Sequence, residues 1–205
     1  MIGYAILAAQ ESELFEKIIV STDDVEIGTI AKSFGAEVPK FRSAELSDDF
    51  ATTNDVLADA MNSTWLGESS PKHVCCIYAT TPLLQATHLI ESFKIMKDEA
   101  VDYVFPAAPF MHNVQRAFQL LDNKGLKMLF PEHFSTRSQD LQPTFHDVGQ
   151  FYWGTTEAWA NRKPIFSATS RILKVDPNEF VDIDNLSDLE QVVEILENRN
   201  KKKQL

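Results

Sequence analysis

Between residues 17 and about 105, short apolar runs alternate with amphipathic ones, and this alternation limits the chain to one fold class. "KIIVST" (17–22) is a short strand-like run. "VEIGTIAKSFG" then sets Ile27, Ile30, Ala31 and Phe34 on one helical stripe that stops at Gly35. "AEVPKFR" (36–42) reads as an edge-like strand, because Pro39 has no N–H to give a ladder. "NDVLADAMNSTW" repeats Val56, Leu57, Ala60 and Met61 at helical spacing. "HVCCIY" (73–78), the helical "THLIESFKIMKDE" and "DYVFPA" (102–107) continue the series. Strands alternating with helices predict an α/β domain with three layers, a mostly parallel sheet covered by helices on both faces. A helix opens the sequence, with Ile2, Ala5, Ile6 and Ala9 in phase, where a doubly wound sheet ordinarily opens with a strand.

After residue 110 the pattern changes. "RAFQLLDNKGLKMLF" holds two strand-like runs around "DNKG" and predicts a hairpin. The polar stretch 131–147 is too long for an ordinary connection, so it is either functional or held by a partner. "VGQFYWG" resumes a strand, "TTEAWANR" a short helix, and "FVDIDNLSDLEQVVEIL" (180–196) sets two aspartates before an amphipathic run. With 205 residues the chain is expected to be one domain, with residues 110–147 as an excursion from it.

Composition closes several routes. The net charge is −11 and the only dense basic run is "KKK" at 201–203, expected to be disordered solvent-exposed charge. Nucleic acid is therefore not an expected partner. No apolar stretch nears the ~20 residues of a membrane span and no signal-peptide pattern opens the sequence, so the expected location is the cytoplasm. Cys75 and Cys76 are neighbours on a strand, point to opposite faces and read as buried core thiols. The five histidines lack metal-ligand spacing, and there is no GxSxG elbow or GxxxxGK[ST] loop.

In open α/β sheets, ligands sit beyond the carboxyl ends of the strands. There lie "STDD" (21–24), which suits a helix cap at Asp23 or Asp24, and "YATTPLLQ" (78–85). Thr80 and Thr81 suit either a plain turn or contact with a base or ribose. Arg42 suits an anion or a salt bridge equally. Arg137 lies in the polar stretch with little local core to serve, which favours binding. If residues 179–183 form a strand, Asp182 and Asp184 project to one side and repel unless a proton or cation lies between them. Mg²⁺ is the usual guest when a nucleotide phosphate is near; the plainer reading is that Asp184 or Asn185 caps the next helix.

The strings "IIVSTDD", "FRSAELSDDFATTNDV", "CCIYATTPLLQ", "FSTRSQDLQPTFHDVGQFYWG" and "VDIDNLSDLE" resemble, in this order, the acylneuraminate cytidylyltransferases (CMP-sialic acid synthetases). They look closest to the pseudaminic acid branch. The resemblance implies a Rossmann-like α/β/α nucleotidyltransferase fold with a dimerising excursion. It also implies transfer of CMP from CTP to a nonulosonic acid, with release of pyrophosphate and with Mg²⁺ as cofactor. It further implies a homodimer. By position, the family's metal-binding and catalytic aspartates fall on Asp182 and Asp184. Its cytidine-side arginine and hydroxyl fall on Arg42 and Thr53, with Thr80 and Thr81 also on the nucleotide side. Its sugar-side residues fall on Tyr78, Arg137, Gly149, Gln150 and Tyr152, with Gln115 and Arg116 where the family has a lysine-bearing segment. The N-acetylneuraminate branch has "LLQPTSPLR" and an "NGA-IY" strand at the corresponding places. Family members also carry an initial strand and a basic, glycine-rich loop before their first helix, to which "MIGYAIL" corresponds. The expectation is that this polypeptide turns over CTP poorly unless such a segment precedes it; an inactive subunit that binds sugar or pairs with a longer partner is the non-enzyme alternative.

Overall fold

The computed structural model describes residues 1–48, 50–61, 65, 71–122, 124–183 and 185–203, the last four by backbone alone. The opening periodicity forms α1 (Ile2–Glu11), which buries Gly3, Ala5, Ile6, Ala8 and Ala9 along one side. α2 (Val25–Ser33) starts where the Asp24 carboxylate accepts the N–H groups of Glu26 and Ile27 at 2.7 and 2.9 Å. Of the two candidate caps in "STDD", Asp24 is the one used. α3 (Thr53–Ala60) begins with a capping box formed by Thr52 and Asp55. α4 (Ala86–Asp98) covers the sheet, and α6 (Leu186–Lys203) ends the described chain, with α5 (Thr156–Ala160) between them. The backbone of α6 stays helical through the lysine run expected to be disordered.

The main sheet joins β1 (His73–Ile77), β2 (Tyr103–Pro109), β5 (Phe145–Asp147), β6 (Phe151–Thr155) and β7 (Ser170–Lys174). β3 (Phe118–Leu120) and β4 (Leu126–Met128) form a separate two-stranded hairpin, as "DNKG" predicts. The mostly parallel sheet expected from the alternation is not what forms. β6 pairs antiparallel with β1 on one side and β2 on the other, and β5 pairs antiparallel with β2. Among the described strands of this sheet, only β2 and β7 are parallel partners. The reason is topological. The α4 crossover gives β1 and β2 the same direction but leaves a space one strand wide between them, and β6 fills it from the other direction.

Two strands expected near the N-terminus reduce to one parallel bridge between Ile19 and Glu37, with Val20 N–H donating to the Glu37 carbonyl at 2.9 Å. The strand expected at 179–183 does not form: a 3-10 turn spans Pro177–Glu179, and residues 181–183 pair with no strand among the described residues. The side-by-side projection expected of Asp182 and Asp184 therefore loses its backbone basis, and Asp184 lies outside the described residues.

Strand alternation divides the core in two. Leu84, Leu89, Met96, Val104, Phe151 and Trp153 pack with Ala8 beneath α1 and α4. On the opposite face Tyr103, Phe105, Ala107 and Tyr152 pack with Leu57 of α3 and with Ala158 and Trp159 of α5. Cys75 belongs to the first cluster and Cys76 to the second, so the thiols point apart as their spacing requires. Burial pushes both thiols up, Cys76 to about 12, and neither is a nucleophile at neutral pH.

Candidate active site

β1 ends beside the start of β6, and this junction carries the most connected group of candidate residues. Tyr78, just past β1, donates its N–H to the Gln150 carbonyl at 2.9 Å. That bond fixes the 148–150 turn, in which Gly149 sits at φ +61°. A side chain there meets open space but a strained backbone, which is why glycine fits this turn. The Tyr78 hydroxyl lies 3.2 Å from the Thr53 hydroxyl at the start of α3. Its ring meets that of Tyr152 edge-on at 5.8 Å, and the Tyr152 hydroxyl donates to the Asp147 carboxylate at the end of β5. The fold thus brings Thr53, Tyr78, Gly149, Gln150 and Tyr152 together from four segments. Burial raises the pKa of both tyrosines, and the hydrogen bond to Asp147 raises that of Tyr152 further. Both phenols stay protonated at physiological pH.

The acidic segment resolves into distinct roles. Asn185 caps α6: its side-chain oxygen accepts the N–H groups of Ser187 and Asp188 at 2.9 and 3.2 Å, while Asp188 accepts the Asn185 N–H at 2.9 Å. This is a reciprocal capping box and leaves Asp182 no capping duty. Asp182 is exposed, and its carboxylate makes no hydrogen bond or ion pair among the described residues. Just before it, Glu179 is held from three sides. Gln85 donates to its carboxylate at 3.2 Å, His88 Nε2 lies 3.5 Å from the same group, and Arg199 of α6 donates to its backbone carbonyl at 3.4 Å. Arg199 also donates to the Leu83 carbonyl at 3.1 Å. One guanidinium therefore ties the loop after β1 to the approach of the acidic segment.

The remaining candidates are more local. Arg42 donates to the Ser47 hydroxyl at 3.0 Å and meets Asp23 at 3.5 Å, which is the salt-bridge reading of that residue. Thr81 is buried and donates to the Tyr78 carbonyl at 2.7 Å, which is the turn reading, whereas Thr80 is exposed. Gln115 donates to the Gln142 carbonyl at 3.0 Å, and Arg116 donates to the carbonyls of Phe134 and Thr136, so both brace the polar stretch from within. Arg137 makes a two-point ion pair with Asp140 and stays largely exposed. Among the described residues, no hydrogen bond or ion pair joins these three residues to the Tyr78–Tyr152 group.

The sequence profile of the cytidylyltransferase family matches residues 1–202. The chain belongs to this family. The pseudaminic acid cytidylyltransferase of Campylobacter jejuni is 36% identical to this cytidylyltransferase over 190 residues, 93% of this chain and 82% of that protein. A Helicobacter pylori protein, named as both a pseudaminic acid cytidylyltransferase and a UDP-2,4-diacetamido-2,4,6-trideoxy-beta-L-altropyranose hydrolase, is 39% identical over 184 residues. That match takes in 89% of this chain and 35% of the longer protein. Among solved structures, a CMP:2-keto-3-deoxy-manno-octonic acid synthetase complexed with CTP superposes with a TM-score of 0.68. It covers 97% of this chain and 88% of the other at 12% identity, a likeness of fold alone. As a member of the family this cytidylyltransferase is a nucleotidyltransferase.

Asp147 and the Glu179–Arg199 brace escaped the reading of the sequence. "HD" carries no spacing signal of its own, and Arg199 is lost among the charges of a polar helix; only the fold reveals their partners.

Proposed function

We propose that this cytidylyltransferase transfers CMP from CTP to a nonulosonic acid, with pseudaminic acid preferred to N-acetylneuraminate. The observation that carries the proposal is the 36% identity, over 93% of the chain, to the pseudaminic acid cytidylyltransferase of Campylobacter jejuni. The N-acylneuraminate cytidylyltransferase of Escherichia coli stands further off, at 26% over 203 residues. In the reaction the anomeric hydroxyl of the sugar forms a bond to the α-phosphorus of CTP, the bond to the β-phosphate oxygen breaks, and pyrophosphate leaves. Such transfer is mainly positioning and electrostatics. Thr53 and the exposed Thr80 are assigned to the nucleotide, and Tyr78, Gly149, Gln150 and Tyr152 to the sugar.

Asp182 suits Mg²⁺. A hard cation takes one or two carboxylates and completes its sphere with water and substrate phosphate, and Asp182 offers an exposed carboxylate with no competing partner among the described residues. Asp184, next but one in sequence, is the second assigned ligand. Among the described residues no three or more His, Cys, Asp or Glu form a cage, and a phosphate-bound Mg²⁺ needs none. When bound, the ion neutralises charge on the phosphates of CTP and the departing pyrophosphate.

Pyrophosphate release by the full-length protein, with both sugars in competition, tests the substrate. The expected result is preferential conversion of pseudaminic acid; preference for N-acetylneuraminate moves the protein to the neighbouring activity.

A homodimer through residues 110–147 is part of the proposal. The β3–β4 hairpin pairs with no other strand among the described residues and leaves Phe118, Leu120 and Leu126 at 60%, 74% and 63% exposure, with Met111 and Phe134 also exposed. Apolar surface clustered in this way on a soluble chain marks an association site. Light scattering at micromolar concentration is expected to give a dimer mass, and Leu120→Glu with Leu126→Glu a monomer. A wild-type monomer refutes the dimer without touching the substrate assignment.

A further inference from the structure

We propose that Asp147 is a positioning residue for the sugar: it holds the Tyr152 hydroxyl proton, so that Tyr152 meets the substrate only as an acceptor and selects an N–H or O–H donor at that point. The inference rests on the sugar-side assignment of Tyr152 made above.

The geometry begins with the sheet. Asp147 closes β5 opposite Ala107, and Tyr152 follows on β6 after the Gly149 turn. β5 and β6 both run antiparallel to β2 and so share one direction, and the break at 148–150 between them leaves the carboxylate within reach of the phenol: Tyr152 donates to Asp147 Oδ2. A phenol has one proton, and an ionised carboxylate can only accept it. With that proton committed, the outward capacity of the Tyr152 oxygen is a lone pair. Tyr152 is only 6% exposed and its ring is packed against Tyr78 and Phe105, so rotation of the side chain cannot reverse the polarity. Two residues earlier in the chain Gln150 is 4% exposed as a residue, and no hydrogen bond among the described residues commits its side-chain amide. The junction therefore offers one fixed acceptor and one uncommitted amide, which together suit a substituent bearing an N–H or O–H beside a carbonyl, such as an acylamino group.

The test is steady-state kinetics on the full-length protein with the sugar and CTP varied separately. Asp147→Ala frees the phenol, and Tyr152→Phe removes the acceptor. Each is expected to raise the KM for sugar about tenfold, the effect of losing one oriented hydrogen bond. The KM for CTP is expected to stay within about twofold. Asp147→Asn keeps a carbonyl acceptor and is expected to restore most of the affinity. The Asp147→Ala/Tyr152→Phe double variant is expected to be no worse than the poorer single variant, because both remove one interaction. An unchanged sugar KM in Asp147→Ala, an equal rise in the KM for CTP, or multiplying effects in the double variant overturns the inference alone. If Asp147→Ala fails to fold, an unchanged sugar KM in Tyr152→Phe is the overturning result. Wild-type protein that releases no pyrophosphate with any nonulosonic acid overturns this inference together with the proposed function.

Discussion

Replacing Asp182 with asparagine is expected to lower Mg²⁺-dependent CMP transfer by about two orders of magnitude, as loss of a single strong electrostatic contact does, while the thermal midpoint stays unchanged. Asp184→Asn is expected to behave in the same way. The structure sharpens this expectation because Asn185 caps α6. Asp182 is exposed and forms no hydrogen bond or ion pair among the described residues, so its charge contributes little to the fold. Neutralising a carboxylate that opposes a cation, by contrast, weakens both the ion and the phosphates it holds. Turnover at saturating CTP, measured across a Mg²⁺ titration, decides the point. Near-normal turnover in both variants sinks the metal assignment.

Trp159→Ala is expected to be the most damaging change to stability. Trp159 is 1% exposed, donates its indole N–H to the Val74 carbonyl at 3.1 Å and meets Tyr103 edge-on at 4.8 Å. Removing so large a buried ring costs about 3–5 kcal/mol, or a fall in thermal midpoint on the order of 10 °C for a domain of this size. Gly154 makes the complementary point. A Cβ there lies 2.4 Å from Trp159 Nε1 and 2.8 Å from Tyr103 Cε1, both on buried rings with nowhere to go. Gly154→Ala is therefore expected to destabilise by overpacking where Trp159→Ala does so by leaving a cavity. Denaturant midpoints for the two variants test this; a midpoint within error of wild type in either shows that the α5 face is more plastic than its packing implies.

Local patterns in the sequence translate directly into structure wherever one element suffices to satisfy them. The 3.6-residue spacing in α1 through α4 and the two-sided apolar run at 73–78 became helices and a strand, with Cys75 and Cys76 on opposite faces. Pairing is different, since the partner of each strand lies elsewhere in the chain. Nothing within "VGQFYWG" says that it will enter between β1 and β2, more than seventy residues from the start of β1. β7 went unread because Arg171 and Lys174 break its apolar run, as charges commonly do in edge strands. Family resemblance singled out Tyr78, Gly149, Gln150 and Tyr152, which the fold places at one junction with Thr53. The resemblance had nothing to say about how Tyr152 is oriented, because hydrogen-bond direction depends on Asp147 and the turn between them.

The brace formed by Arg199 has a thermodynamic consequence. Among its described residues α6 fully buries only Val192, with Leu189, Ile195 and Leu196 half-buried, so this helix is held to the body by a thin apolar face and a few polar contacts. Helices attached so sparsely open by themselves at a cost well below global unfolding. Each such opening releases the carbonyls of Leu83 and Glu179, and with them the relative placement of the loop after β1 and the acidic segment. A substrate that requires both loops in register binds only the closed form, so its binding free energy is added to the cost of opening. Amide hydrogens along α6 are then expected to exchange more slowly when such a substrate is bound. Exchange along α6 thereby becomes an occupancy gauge for such a substrate.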